Sequence, residues 1–197
     1  PHGDDVRLLR EQAKRCRDIL AKLTELSAGG EPFDRMRLTA LIEEVVAPHR
    51  NFGVTIDVIT PSDRAAEPVG ARNPAILYGL GNLLENAIDF AHDRVLVDAK
   101  WDEDSVAVTI SDDGPGFAPE ILTRIGEPYV TSRRHHLNDT GEEPKGLGLG
   151  FFIAKTLLER SGATLSFENR AIPERGAVVR LHWSRSDFER PLTFAAA

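Results

Sequence analysis

With 197 residues, 41% of them hydrophobic and 28% charged, the chain has the composition of a globular protein that buries one core and a small appendage. A net charge of −7 excludes a general nucleic-acid binder, which needs a basic face against phosphates. No apolar run approaches the ~20 residues that cross a bilayer, and a single cysteine, Cys16, excludes an internal disulfide framework and suits a reducing cytosol.

No signal-peptide pattern is present, and the chain opens at Pro1 without a methionine, which predicts a fragment of something longer. Val6, Leu9, Ala13, Cys16, Leu20 and Leu23 then recur at alternating steps of 3 and 4, the seam of a heptad helix. Leu8, Ile19 and Leu26 widen that stripe. A lone helix cannot bury it, so the pattern predicts a helical partner, most simply a second copy. Ser27 to Gly30 and Pro32 stop the helix and form a hinge. Leu38, Leu41, Ile42, Val45 and Val46 predict a shorter helix ending near Pro48, and residues 54–59 alternate as a strand. Residues 61–72 read as a loop. Residues 73–92 predict a strong helix, with Asn73 as its cap, Pro74 in its first turn, and Leu77, Leu80, Leu84 and Ile88 along its apolar face. Strands follow at 94–101 and 105–111, then a short helix at 118–125 and a polar, lid-like stretch at 126–145. A helix over roughly 149–161 and strands at 163–169 and 176–183 complete the chain. Strict βαβ alternation is absent, so the expected fold is α+β: a two-layer α/β sandwich with a mainly antiparallel sheet.

Three segments carry chemistry. Asn82, Glu85, Asn86 and Asp89 stand 3 or 4 residues apart and share a helix face. Mg²⁺ takes a few hard oxygen ligands and leans on nucleotide phosphates, which makes Asn86 the candidate metal ligand. Asp112 ends a β-type run, where a carboxylate can accept a hydrogen bond from an exocyclic amine such as adenine N6. Gly114 and Gly116 let the backbone turn and approach a flat ring. Gly146, Leu147, Gly148, Leu149 and Gly150 open a helix, whose free N–H groups and partial positive charge suit phosphates, with Lys145 adding a charge. Alone, each also has a plainer reading: a solvated helix face, a tight turn, a glycine-rich loop. Their order along one chain joins them into an ATP site.

Those three segments resemble the N, G1 and G2 boxes of sensor histidine kinases, members of an ATPase superfamily shared with gyrase, Hsp90 and MutL. Glu127-Pro-Tyr-Val-Thr131 resembles the intervening F box, and Gln12 to Leu20 is similar to redox-responsive kinases of the RegB/PrrB type. The resemblance implies an ATP-binding catalytic domain over 32–186, preceded at 1–30 by the second helix of a dimerisation and phosphoacceptor hairpin and followed by a tail at 187–197. It implies ATP and Mg²⁺ as ligands, with Thr131 beside the phosphates and Lys145, Arg133 or Arg134 supplying the positive charge there. Asn82 stands where the hydrolytic members carry a glutamate, and an amide cannot act as a general base, so phosphoryl transfer is favoured over hydrolysis. The implied partners are a response-regulator receiver domain and a second copy of the chain through the N-terminal helix. The implied setting is a cytoplasmic domain of an inner-membrane sensor, tied to the membrane only by upstream segments.

The resemblance has departures. Asp89 replaces a usual basic residue, Gly126 a usual phenylalanine and Pro144 a usual glycine, while Gly176-Ala177-Val178 lacks a usual hydroxyl, so no adenine contact is carried over there. None of the six histidines has the acceptor context, so this chain is expected to bind ATP without phosphorylating itself. Cys16 reads either as a seam residue or, beside Lys14, Arg15 and Arg17, as a regulatory thiol that pairs with its twin. Two rivals stand beside this reading: a serine/threonine kinase of the anti-sigma type on the same fold, and a degenerate, non-catalytic dimerisation module.

Overall fold

The computed structural model describes residues 35–50, 53–64, 66–122, 124–125, 149–171 and 173–191. In chain order the elements are β1 (Arg35–Arg37), α1 (Leu38–Val46), a 3-10 turn (Ala47–His49), β2 (Thr55–Ile59), β3 (Val69–Ala71), α2 (Pro74–Phe90), β4 (Arg94–Trp101), β5 (Ser105–Asp112), α3 (Pro119–Leu122), α4 (Leu149–Arg160), β6 (Thr164–Asn169), β7 (Ala177–Ser184) and α5 (Arg185–Phe188).

Five strands form one sheet in the order β2-β4-β5-β7-β6. Every pairing is antiparallel except β2 with β4, which run parallel because α2 carries the chain across between them. Strand periodicity sorts the side chains. Val95, Val97 and Ala99 of β4, Val106, Val108 and Ile110 of β5, and Val179, Leu181 and Trp183 of β7 are buried on one face. Charged residues occupy the other face, where Arg180 pairs with Glu168 at 2.7 Å and Arg94 pairs with Asp57. The helices cover the apolar face. Their contribution is Leu38, Leu41, Ile42 and Val46 from α1, Ile76, Leu77, Leu80, Leu83, Leu84 and Ala87 from α2, and Ala154 and Leu158 from α4.

Helix α2 starts where the sequence places it: the Asn73 side chain accepts the Ala75 N–H at 2.9 Å, and Pro74 fills the first position, where no N–H is needed. Leu84 is fully buried beside a small apolar cavity that Ile42, Leu80 and Val108 also line. Leu84→Ala enlarges that cavity, so it should cost about 3–4 kcal/mol and lower the urea midpoint accordingly. A loss under about 1 kcal/mol would mean that this core collapses freely around a deletion.

The segment 61–72, expected as a loop, contains β3, which pairs with β1 in a separate two-stranded sheet: Arg35 opposite Ala71, Met36 opposite Gly70, Arg37 opposite Val69. Glu67, in the same segment, starts α1 by accepting the Thr39 N–H at 2.9 Å. The packed unit also continues past residue 186. Phe188 of α5 is buried with its ring 5.8 Å from that of Trp183, and Glu189 accepts the Val69 N–H at 3.1 Å.

Candidate functional site

The site grows from the end of the central strand. Along β5 the even positions Val106, Val108 and Ile110 face the helices, so Asp112, next in that series, faces the same interlayer space at its open end. Register places Asp112 between Val95 of β4 and, one position beyond the Ser111–Val178 pair, the start of β7. The carboxylate is almost wholly buried, and its Oδ1 accepts two backbone donors, Gly114 N–H at 2.9 Å and Ala177 N–H at 3.1 Å. Among the described residues Oδ2 accepts no hydrogen bond, which leaves one fixed acceptor. Burial pushes the Asp112 pKa above the ordinary carboxylate value; the Ala177 and Gly114 amides pull it back, Asp113 pushes it up again, and Arg170 opposes, without cancelling the rise. Arg170 is held in turn by Ser111 Oγ at 2.9 Å and Glu174 at 3.4 Å.

The turn after Asp112 depends on its glycines. A Cβ on Gly114 would stand 2.1 Å from the Phe90 carbonyl oxygen, so the turn lies directly against the end of α2. Gly116 has φ +80°, and Asn169 of β6 braces the next residue, accepting the Phe117 N–H at 2.7 Å and donating to the Phe117 carbonyl at 2.9 Å. The Phe117 ring meets Phe151 of α4 and Phe167 of β6 edge to face, with centroids 6.4 Å apart in both pairs. This trio sets the first turn of α4 beside the Asp112 turn.

Asn82 and Asn86 are half-buried and Glu85 and Asp89 exposed, on the side of α2 opposite Leu80, Leu83 and Leu84. The Asn82 amide donates to Tyr78 O at 3.3 Å and the Asn86 amide to Asn82 O at 2.6 Å. Only an NH₂ can make those bonds, which turns each Oδ1 away from the helix backbone as a hard acceptor. Among the described residues, no group of three or more His, Cys, Asp and Glu gathers as a cation cage. A single amide oxygen fits Mg²⁺ nonetheless, because that ion takes few protein ligands and completes its shell with water and phosphate oxygens.

Of the residues singled out from sequence, Asp112, Gly114 and Gly116 lie at or just after the end of β5, Asn86 lies four residues before Phe90, whose carbonyl Gly114 faces, Asn82 lies one turn earlier on α2, and Leu149 is the first residue of α4. Thr131, Arg133, Lys145, Gly146, Leu147, Gly148 and Cys16 lie outside the described residues. Sequence reasoning assigned no role to Asn169 or Asp113 and noted Gly176 and Ala177 only for the hydroxyl their segment lacks. The only local signal for Gly176 was an isolated glycine just before a strand, which marks a turn rather than a site.

The sequence profile of the histidine kinase-, DNA gyrase B- and HSP90-like ATPases matches residues 73–187. The chain belongs to that family. It is 42% identical to the sensor histidine kinase RegB of Cereibacter sphaeroides across 91% of this chain, and it spans 42% of RegB's length. Among solved structures, the catalytic domain of the histidine kinase ThkA superposes with a TM-score of 0.61 at 23% identity, covering 78% of this chain and 97% of that one. Full-length ShkA, solved in complex with AMPPNP, gives the same TM-score of 0.61 at 22% identity, over 98% of this chain and 39% of that one. The fold is that of a histidine kinase catalytic domain.

Proposed function

We propose that the chain binds ATP as the catalytic domain of a two-component sensor histidine kinase and transfers the γ-phosphoryl group to a histidine on a helix outside these 197 residues. One observation carries the reading: a buried carboxylate at the end of the central strand, with Oδ1 clamped by two amides and Oδ2 accepting no hydrogen bond from any described residue. Asp112 Oδ2 accepts the exocyclic amine of adenine, and the glycines of the turn admit the ring. Asn86 Oδ1 would hold Mg²⁺, which would offset the negative charge of the phosphates. The α4 N-terminus, with Lys145, Gly146, Leu147, Gly148, Thr131 and Arg133, takes the phosphates. Asn82 has no basicity with which to activate water, so the phosphoryl group is kept for the histidine nucleophile rather than lost to hydrolysis. ShkA, similar in fold, was solved with an ATP analogue, which supports the ligand class.

In this reading, residues 1–30 form the second helix of the hairpin and the homodimer contact, and the catalytic domain begins at residue 32 and includes α5. The receiver domain of a response regulator takes the phosphoryl group next. The unit sits on the cytoplasmic side of an inner-membrane sensor. Cys16, among basic neighbours, gives redox control: two Cys16 thiols of a dimer lose two protons and two electrons to an oxidant and join as a disulfide.

The test supplies the parent kinase's hairpin as a separate domain and follows γ-phosphate label from ATP. Acid-labile label on the hairpin, falling at least about tenfold with Asn86→Ala, is the expected result. Acid-stable label on serine or threonine would point to the anti-sigma type of kinase, and no label to a degenerate module.

A further inference from the structure

The residue beside Asp112 is engaged with a different part of the chain. Asp113 Oδ1 accepts the His92 N–H at 2.7 Å, and both of its oxygens lie 3.1 Å from the Asp93 N–H. Burial would raise its pKa, but the backbone amides of Arg94, Asp93 and His92 outweigh burial and hold the carboxyl below its ordinary value. These amides form the turn by which the chain leaves α2 for β4. An anion near a helix C-terminus opposes the helix dipole, so it is the amide bonds that keep Asp113 there. The neighbouring Gly114 touches the same stretch from the other side, packed against the Phe90 carbonyl. Asp113 and Gly114 together therefore grip residues 90–94 of the chain. Asn86 lies four residues before Phe90 on α2, about 6 Å along the axis.

We propose that Asp113 is a positioning residue. It fixes the last turn of α2, and with it Asn86, relative to Asp112, so that the adenine and metal-phosphate halves of the site engage one nucleotide as a unit. The inference rests on the nucleotide site proposed above. Its distinctive consequence is coupling between two residues that share no hydrogen bond.

Asp102 is the natural control. It uses the same chemistry, accepting the Asp104 and Ser105 N–H groups at 2.9 and 2.7 Å. It does so at the opposite end of the β4–β5 hairpin, roughly 25 Å away at the usual rise per residue.

The experiment titrates a non-hydrolysable ATP analogue with Mg²⁺ into the wild-type chain, Asp113→Ala, Asp113→Asn and Asp102→Ala, with denaturation midpoints measured in parallel. Asp113→Ala is expected to weaken binding about tenfold, as loss of a supporting contact does at other sites. Asp113→Asn keeps an acceptor oxygen and should stay within about threefold of wild type. Asp102→Ala should lower the midpoint with no change in affinity. A double-mutant cycle between Asp112→Asn and Asn86→Ala should be non-additive in the wild-type background and additive in Asp113→Ala. Should the alanine chain not fold, Asp113→Ser against Asp113→Asn gives the same contrast. Wild-type affinity in Asp113→Ala, or an equal loss in Asp102→Ala, overturns the inference while leaving the nucleotide site standing. Absence of binding to the wild-type chain overturns the nucleotide site itself.

Discussion

Asp112→Asn is expected to keep the fold, or make it slightly firmer, while removing most of the nucleotide affinity. The asparagine Oδ1 still accepts the Gly114 and Ala177 amides, so the turn retains its scaffold. What changes is the second atom: an NH₂ replaces Oδ2 and presents donors to the donor amine of adenine. Leaving such groups unpaired in a buried setting costs about 1–3 kcal/mol, which is roughly 10- to 100-fold in affinity. Titration calorimetry measures the loss, and a urea melt of the same protein measures the retained fold. A variant that loses stability and affinity together would make Asp112 a structural residue instead.

The raised pKa of Asp112 adds a pH dependence with opposite signs for folding and binding. A carboxyl whose folded pKa lies above its unfolded value favours the protonated fold. Its contribution to stability is present on the acid side and is lost as pH rises from the unfolded value through the folded one. Nucleotide binding uses the ionised acceptor. Affinity should therefore fall as pH drops through a range above that of an ordinary aspartate, and Asp112→Asn should flatten that part of the profile.

Gly176→Ala is expected to be the most damaging single-methyl change in the described part of the chain. Gly176 has φ +125°, where L side chains are strained, and a Cβ there would lie 1.8 Å from the Asp112 carbonyl oxygen and 2.7 Å from its carbon. Both atoms are backbone, so no side chain can rotate away. Either the β6–β7 connection or the end of β5 must move, and each movement displaces the Ala177 amide from Asp112. A cost of about 4 kcal/mol, with loss of nucleotide binding, is the expected outcome by denaturant melt and titration. Gly81→Ala is the matched control, since a Cβ there meets nothing within 4 Å and alanine is the better helix former. Similar midpoints for the two variants would contradict the close approach.

Helix α2 was legible because three signals coincide: Asn73 as cap, Pro74 at the first turn, and a 3.6-residue apolar period. The β4–β5 hairpin was legible from alternation alone. β1 and β3 were not, because three residues such as Arg35-Met36-Arg37 carry no period, and their pairing spans more than thirty residues of chain. The site divides the same way. Asp112, Gly114 and Gly116 belong to one local motif and could be found there. The role of Asp113 lies in amides 20 and 21 residues earlier, and that of Gly176 in a carbonyl on another strand, so no local pattern encodes either. Local motifs name the groups that touch a ligand; tertiary contacts decide what holds those groups in place.

The most direct measurement is calorimetric titration of the wild-type chain with a non-hydrolysable ATP analogue, with and without Mg²⁺, beside a competition with the guanine analogue. Saturable, magnesium-dependent binding that guanine does not match is the expected result, because its ring offers Asp112 a carbonyl where adenine offers an amine. A folded chain that binds neither, or binds both alike, would contradict it.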